Sequence, residues 1–194
     1  MRDPKALITT TQLAAILEQP DVRVYDCTTH LEPPAPGSDD PYTVVSGRRT
    51  FEEAHVPGAD FLDLQDEFSD TTTRLRFMMP PVAQLEAAFG RHGLGSGTRV
   101  VLYSIGSAMW ATRFWWMLKS LGFDGAAVLD GGLDAWKGEA RPVERRAARG
   151  SALDRARLAF PGVEPAVQHG GAIEAERPQH PPEARRPHRR ADAV

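Results

Sequence analysis

Two short, wholly apolar segments constrain the fold of this chain more than any other feature. Residues 100–103 read Val-Val-Leu-Tyr and residues 126–129 read Ala-Ala-Val-Leu. A turn and then a sequence of helical periodicity follow each segment. A strand that is apolar at consecutive positions is buried on both faces, as in parallel sheets covered by helices. The pattern therefore predicts an α/β fold in which an open parallel sheet carries helices on both faces.

The remaining sequence up to residue 143 continues this alternation. Further short strands are predicted at 22–25 and 59–62. Helices are predicted, from apolar spacing and terminal residues, at 9–17, 50–54, 82–90, 110–121 and 133–136. In these helices Thr50 is expected to act as an N-cap and Gly90 as a stop. We assign residues 1–143 to one folded domain.

The C-terminal part of the chain has a different composition. Residues 141–194 contain 11 arginines, no lysine and a single aromatic residue, Phe160. So little apolar surface does not offset the entropy lost on ordering. We therefore expect residues 144–194 to form a disordered tail rich in Arg, Pro and Ala. A natural extension and out-of-frame sequence remain alternative explanations for this change.

Composition also excludes several classes of function. A net charge of −3 gives no general attraction to nucleic acid or to an anionic membrane. The single cysteine, Cys27, excludes a disulfide within the chain and a cysteine-based zinc site. The most apolar stretch, residues 114–118, is too short to span a bilayer. We expect a cytoplasmic protein with no metal, no cofactor, no nucleic-acid partner and no membrane contact.

The predicted sheet places candidate functional residues at one edge. Ligands of open α/β sheets bind outside the carboxyl ends of the strands, and residues 26–28, 104–110 and 130–132 lie there. In the middle segment, backbone N–H groups converging near a helix start would form an anion-binding loop. A plain strand-to-helix connection is the alternative. The candidate anion-binding loop consists of Ser104, Ile105, Gly106, Ser107, Ala108, Met109 and Trp110.

Three ordered motifs resemble those of the rhodanese family, over about residues 5–143. His55-Val56-Pro57-Gly58-Ala59 resembles the family's first signature. Val128-Leu129-Asp130-Gly131-Gly132, followed by Trp136 and Arg141-Pro142-Val143, resembles the second. Val100-Val101-Leu102-Tyr103 lies between them, where the family's active-site strand belongs. Residues 109–118, and Cys27-Thr28-Thr29 with the Pro-rich loop after it, are similar to the non-catalytic first domain of tandem thiosulfate and 3-mercaptopyruvate sulfurtransferases.

The resemblance implies a mechanism and also a departure from it. In the family, a cysteine at the first loop position after the central strand takes sulfane sulfur from a donor. A ring of backbone N–H groups then stabilises the persulfide. Ser104 occupies that position here, and a hydroxyl cannot form a persulfide. We expect a truncated tandem domain, weakly active or inactive alone, so whether the chain is an enzyme stays open. The alternative is a pseudo-enzyme binding or regulatory module, whose Ser104 loop holds a small sulfur-containing anion or a catalytic rhodanese domain.

Three further residues, Cys27, Arg113 and Asp130, each have a functional and a structural interpretation. Cys27 is either a displaced nucleophile or a small buried hydrophobic residue. Asp26 stands beside it as a supporting residue at the same edge. Arg113 either holds an anion at the loop or lies at the surface or an interface. Asp130 either orients a substrate or caps the helix that follows it. One of the adjacent residues Trp115 and Trp116 is expected at a domain interface.

Overall fold

The computed structural model describes residues 5–145, which contain a five-stranded parallel sheet in the order β1-β7-β6-β2-β5. The prediction of an open parallel α/β sheet is confirmed. A separate two-stranded sheet pairs β3 with β4. The strands are β1 Leu7–Ile8, β2 Val22–Asp26, β3 Thr29–Glu32, β4 Thr43–Ser46, β5 Asp60–Phe61, β6 Arg99–Tyr103 and β7 Ala126–Leu129.

In the described part of the chain, five helices cover the two faces of the parallel sheet, as expected. The helices are α1 Thr10–Ile16, α2 Arg48–Glu53, α3 Val82–Arg91, α4 Met109–Ser120 and α5 Gly132–Gly138. One core lies under α3 and α4, and a second core lies under α1, α2 and α5. Val100 and Leu102 enter the first core, whereas Val101 and Tyr103 enter the second. The alternation of side chains along a strand thus explains why β6 is apolar at consecutive positions.

Three details of the helix ends differ from the sequence prediction. The N-cap of α2 is Gly47. The position takes glycine because a Cβ atom on residue 47 would lie 2.3 Å from the carbonyl oxygen of Thr28. Thr50 lies inside that helix, and its hydroxyl donates to the Gly47 carbonyl at 2.8 Å. Helix α3 continues through Gly90. The left-handed glycine that follows this helix is Gly93, where φ is +79°.

The hairpin of β3 and β4 was not predicted. Thr29 pairs with Ser46 and Glu32 pairs with Thr43 in an antiparallel register. The sequence between the two strands is polar and Pro-rich, and each strand has only four residues, so the apolar pattern of the sequence does not reveal them.

The end of the described domain is fastened to the turn after α2. His55 and Glu144 exchange two backbone hydrogen bonds of 2.9 Å, and the Glu144 carboxylate accepts from the Gly58 N–H at 2.9 Å. Glu144, placed in the tail by the sequence prediction, is thus paired with the domain. The rest of the expected tail, residues 146–194, lies outside the described residues. Within residues 5–145, no helix combines the length and apolarity needed to cross a membrane.

A close approach of two backbones joins α5 to the end of β6. At Gly132, a Cβ atom would lie 2.2 Å from the carbonyl oxygen of Ser104, and φ is +57°. Gly58 also has a positive φ, of +72°, but no atom lies within 4 Å of a Cβ built there. Substitution of Gly58 therefore tests the cost of the backbone conformation alone, whereas substitution of Gly132 adds the cost of a steric clash.

We predict that Gly132→Ala destabilises the domain more than Gly58→Ala. The Gly58 variant should lose about 1–2 kcal/mol of unfolding free energy, because an L-residue is strained in the left-handed region. The Gly132 variant should lose more, because the start of α5 must also move away from Ser104. Urea denaturation of both variants measures the difference, and equal losses would contradict the close approach.

Candidate functional site

The loop between β6 and α4 is the centre of the candidate site. Ser104 follows the last residue of β6, and its side chain is buried, with only 5% of the residue exposed. The Ser104 hydroxyl donates a hydrogen bond of 2.5 Å to the carbonyl oxygen of Ser107. The hydroxyl therefore closes the loop on itself.

The N–H groups of this loop bond to acceptors of the protein itself. The Ile105 N–H donates to the Thr28 hydroxyl oxygen at 3.1 Å. The Gly106 N–H donates to the Asp134 carboxylate at 2.8 Å. The Ser107 N–H donates to the Ile105 carbonyl at 2.8 Å. The Met109 N–H donates to the Ser107 hydroxyl oxygen at 3.3 Å. Four N–H groups of the candidate anion-binding loop thus have internal partners.

A small cavity of about 80 Å³ lies between this loop, the end of β7 and the start of α5. The carboxylate of Asp134 is the only charged group among the described residues that line it. The lining residues are Ser104, Gly106, Ser107, Ala108, Ala111, Val128, Leu129, Gly131, Gly132 and Asp134. The cavity therefore combines small residues and backbone groups with one negative charge.

The loop is tied through Thr28 to a buried carboxylate. Asp26 is fully buried, and its Oδ1 accepts from the Thr28 N–H at 2.8 Å and from the Thr28 hydroxyl at 2.5 Å. Its Oδ2 is buried with no partner at good hydrogen-bond geometry among the described residues, and the nearby Tyr103 hydroxyl partly offsets the effect of burial on the pKa of Asp26. Burial raises the pKa of Asp26 to about 6. Asp26 therefore orients Thr28, and Thr28 in turn holds the Ile105 N–H.

Cys27 is buried beneath the loop rather than displayed beside it. Its exposed fraction is 0%, and the nearest hydrogen-bond acceptor of its thiol is the Tyr25 carbonyl oxygen at 3.8 Å. Burial raises the pKa of the thiol, and the neighbouring Asp26 carboxylate adds to this effect. Both effects disfavour the thiolate, which is the nucleophilic form.

Arg113 and Asp130 have no place in the cavity lining within the described chain. The Arg113 guanidinium donates to the Phe77 carbonyl, and its Nε is buried without a partner in the described part of the structure. Asp130 is exposed, and α5 has Gly131 as its N-cap without a side-chain cap. The expectation that Asp130 caps this helix is therefore wrong, because the left-handed Gly131, with φ of +70°, intervenes.

Thr28 was placed at this edge from the sequence without a role of its own, and Asp134 was not predicted as a residue of the site. Both reach the loop from positions far away in sequence, 77 residues from Ile105 and 28 residues from Gly106. An Asp in the first turn of a helix normally indicates an interaction with that helix's own N-terminus. No local signal distinguishes such a residue from one that crosses to a neighbouring loop.

We predict a specific pH dependence for the Asp26→Asn variant. Because the pKa rises from 3.8 to about 6 on folding, folded protein binds more protons than unfolded protein between these values. Its stability therefore falls as pH rises through this window. Asn stays neutral, so the variant should gain about 2 kcal/mol of stability relative to the natural chain on going from about pH 4.5 to about pH 7.5. Urea denaturation at both pH values measures the gain.

A matched control is the Asp130→Asn variant, which removes an exposed carboxylate from the same edge of the sheet. If both variants change equally with pH, burial of Asp26 is not the cause of the effect. A stability difference of Asp26→Asn that is independent of pH would also contradict the prediction.

Three comparisons with known proteins point to one family. The rhodanese-like domain family matches residues 9–139. A probable 3-mercaptopyruvate sulfurtransferase of Pseudomonas aeruginosa is 40% identical over 135 residues, which cover 68% of this chain and 44% of that protein. The thiosulfate sulfurtransferase of Rattus norvegicus is 33% identical over 152 residues, which cover 75% of this chain and 47% of that protein.

The solved structures extend the likeness to three dimensions. The crystal structure of SseA from Escherichia coli, described as a 3-mercaptopyruvate sulfotransferase with the rhodanese fold, has a TM-score of 0.60 and 26% identity. The alignment covers 74% of this chain and 52% of that one. The chain thus spans about half the length of the relatives it matches. The family match, the fold and the curated relatives together show that the chain belongs to the rhodanese-like domain family and is homologous to 3-mercaptopyruvate and thiosulfate sulfurtransferases.

Proposed function

We propose that this domain is the non-catalytic partner in a sulfur-transfer reaction and forms no persulfide of its own. The observation that carries the proposal is the chemistry at the end of β6. Ser104 stands where the family's persulfide-forming cysteine is expected, and its hydroxyl donates to the Ser107 carbonyl. A serine oxygen in this place cannot accept sulfane sulfur and return it to an acceptor.

The state of Cys27 supports the same proposal. A sulfur donor must reach the attacking thiolate, and Cys27 is fully buried in the core shared by β2, α3 and α4. Its raised pKa keeps the thiol protonated at neutral pH. Transfer of sulfur to Cys27 would therefore require the edge of the sheet to open first.

The exposed face of α4 supports a partner role for the domain. Met109 and Trp116 lie seven residues apart on this helix, with Thr112 between them, and all three are exposed. Met109 is 50% exposed and Trp116 is 53% exposed, which is unusual for such large apolar side chains. The helix begins directly after the Ser104 loop. A catalytic rhodanese domain that docks here would cover Met109 and Trp116.

The second candidate function is a binding or regulatory module without a role in catalysis. The observation favouring it is that the loop has its own hydrogen bonds to Thr28 and Asp134. A loop ordered without bound substrate can serve as a recognition surface. Its ligand is proposed to be either a small sulfur-containing anion or a catalytic rhodanese domain.

We expect no stable sulfur adduct when the protein is incubated with thiosulfate. Transfer to a thiolate would form a persulfide bond to the sulfane sulfur and release sulfite. Cyanide would then remove that sulfur as thiocyanate and restore the thiolate. Intact-mass measurement before and after cyanide treatment detects one removable sulfur atom. A thiosulfate sulfurtransferase serves as the positive control.

The Cys27→Ala variant identifies the position of any adduct. This variant and the natural chain should both keep an unchanged mass. If the natural chain gains one cyanide-removable sulfur and the variant gains none, Cys27 is a displaced nucleophile and the proposal is wrong.

A further inference from the structure

We propose that Asp134 closes the Ser104 loop to anions by holding its own carboxylate where an external anion would bind. This inference rests on the proposed function, because it identifies what occupies a loop that forms no persulfide. It assigns to Asp134 a specificity-determining role that is independent of the residue at position 104.

The first step of the argument is the hydrogen bond between Asp134 and the loop. Its Oδ2 accepts from the Gly106 N–H at 2.8 Å. A backbone N–H carries one hydrogen, so this donor is already used. The bond joins a charged acceptor to a neutral donor, which is stronger than a bond between two neutral groups. An anion from solution must displace the carboxylate before it can use the Gly106 N–H.

The backbone on both sides fixes this arrangement. Gly132 lies so close to Ser104 that a Cβ would come within 2.2 Å of the Ser104 carbonyl oxygen. Asp134 stands two residues further along, in the first turn of α5. Gly106 itself has φ of +71°, a conformation that favours glycine. The carboxylate is therefore presented by an exposed side chain whose backbone is held against the loop.

The charge of the cavity points in the same direction. The described residues lining its volume of about 80 Å³ contribute one charged side chain, that of Asp134. Like charges repel one another at short range, also at an exposed carboxylate such as this one. Arg113, the cation expected at this loop, instead donates to the Phe77 carbonyl. A doubly charged anion such as thiosulfate would therefore meet the Asp134 carboxylate without a compensating Arg113 cation.

Removal of the Asp134 charge should open the loop to anions. The test is an NMR titration of the full chain with sulfate, a non-reacting anion, followed at the amide signals of Gly106 and Ser107. Asp134→Asn removes the charge and retains an oxygen acceptor of the same shape. Asp134→Ala removes both the charge and the acceptor. We expect the Kd for sulfate to fall by about tenfold or more in the Ala variant and by less in the Asn variant.

Asp130→Asn is the matched control for net charge. It removes one exposed carboxylate near the same edge of the sheet, outside the lining of the cavity. It should leave the Kd for sulfate unchanged. An equal fall in Kd in this control would show that the effect is general electrostatics and would overturn the proposal. Equal affinities of the natural chain and both Asp134 variants would also overturn it.

The titration and the sulfur-transfer measurement fail independently. The amide signals report binding at the loop and involve no thiol chemistry. A cyanide-removable sulfur on Cys27 would refute the proposed function and leave the sulfate result unchanged. Tight sulfate binding by the natural chain would refute the role of Asp134, even if no sulfur adduct forms.

Discussion

The burial of β6 on both faces is the constraint on which the rest of the structure depends. Val100 and Leu102 enter one core and Val101 and Tyr103 enter the other, so the strand cannot shift by one residue without exchanging the two sets. Pairing with β2 on one side and β7 on the other fixes its register as well. The position of Ser104, the next residue, follows directly. The site is therefore built at the end of a strand that is buried on both faces and paired on both sides.

Two of the hydrogen bonds that hold the loop in shape do not involve the side chain at position 104. The Ile105 N–H bonds to Thr28, which the buried Asp26 carboxylate orients. The Gly106 N–H bonds to Asp134 on the opposite side. The two hydrogen bonds therefore keep the loop in this shape with serine at position 104.

The parallel sheet and its two cores could be predicted from sequence, because a doubly buried strand imposes a continuous apolar run that is read locally. Residues 99–103 and 126–129 carried that signal and were placed correctly. The site depends on contacts that local patterns do not contain. Asp134 was overlooked and Asp130 was chosen instead. The sequence does not show that an Asp in the first turn of α5 reaches the backbone of the neighbouring loop. The raised pKa of Asp26 likewise depends on burial by several distant elements.

The Ser104 loop and the exposed face of α4 differ in charge and polarity, so they suit different ligands. In the loop, hydrogen-bond donors are occupied by Thr28 and Asp134, and the charge of the latter disfavours small anions. On α4, Met109 and Trp116 expose apolar surface that water solvates poorly. An apolar protein surface gains from covering this face and does not need the occupied N–H groups. The closed loop and the exposed helix face therefore favour, between the proposed ligands, a protein domain over a free sulfur-containing anion.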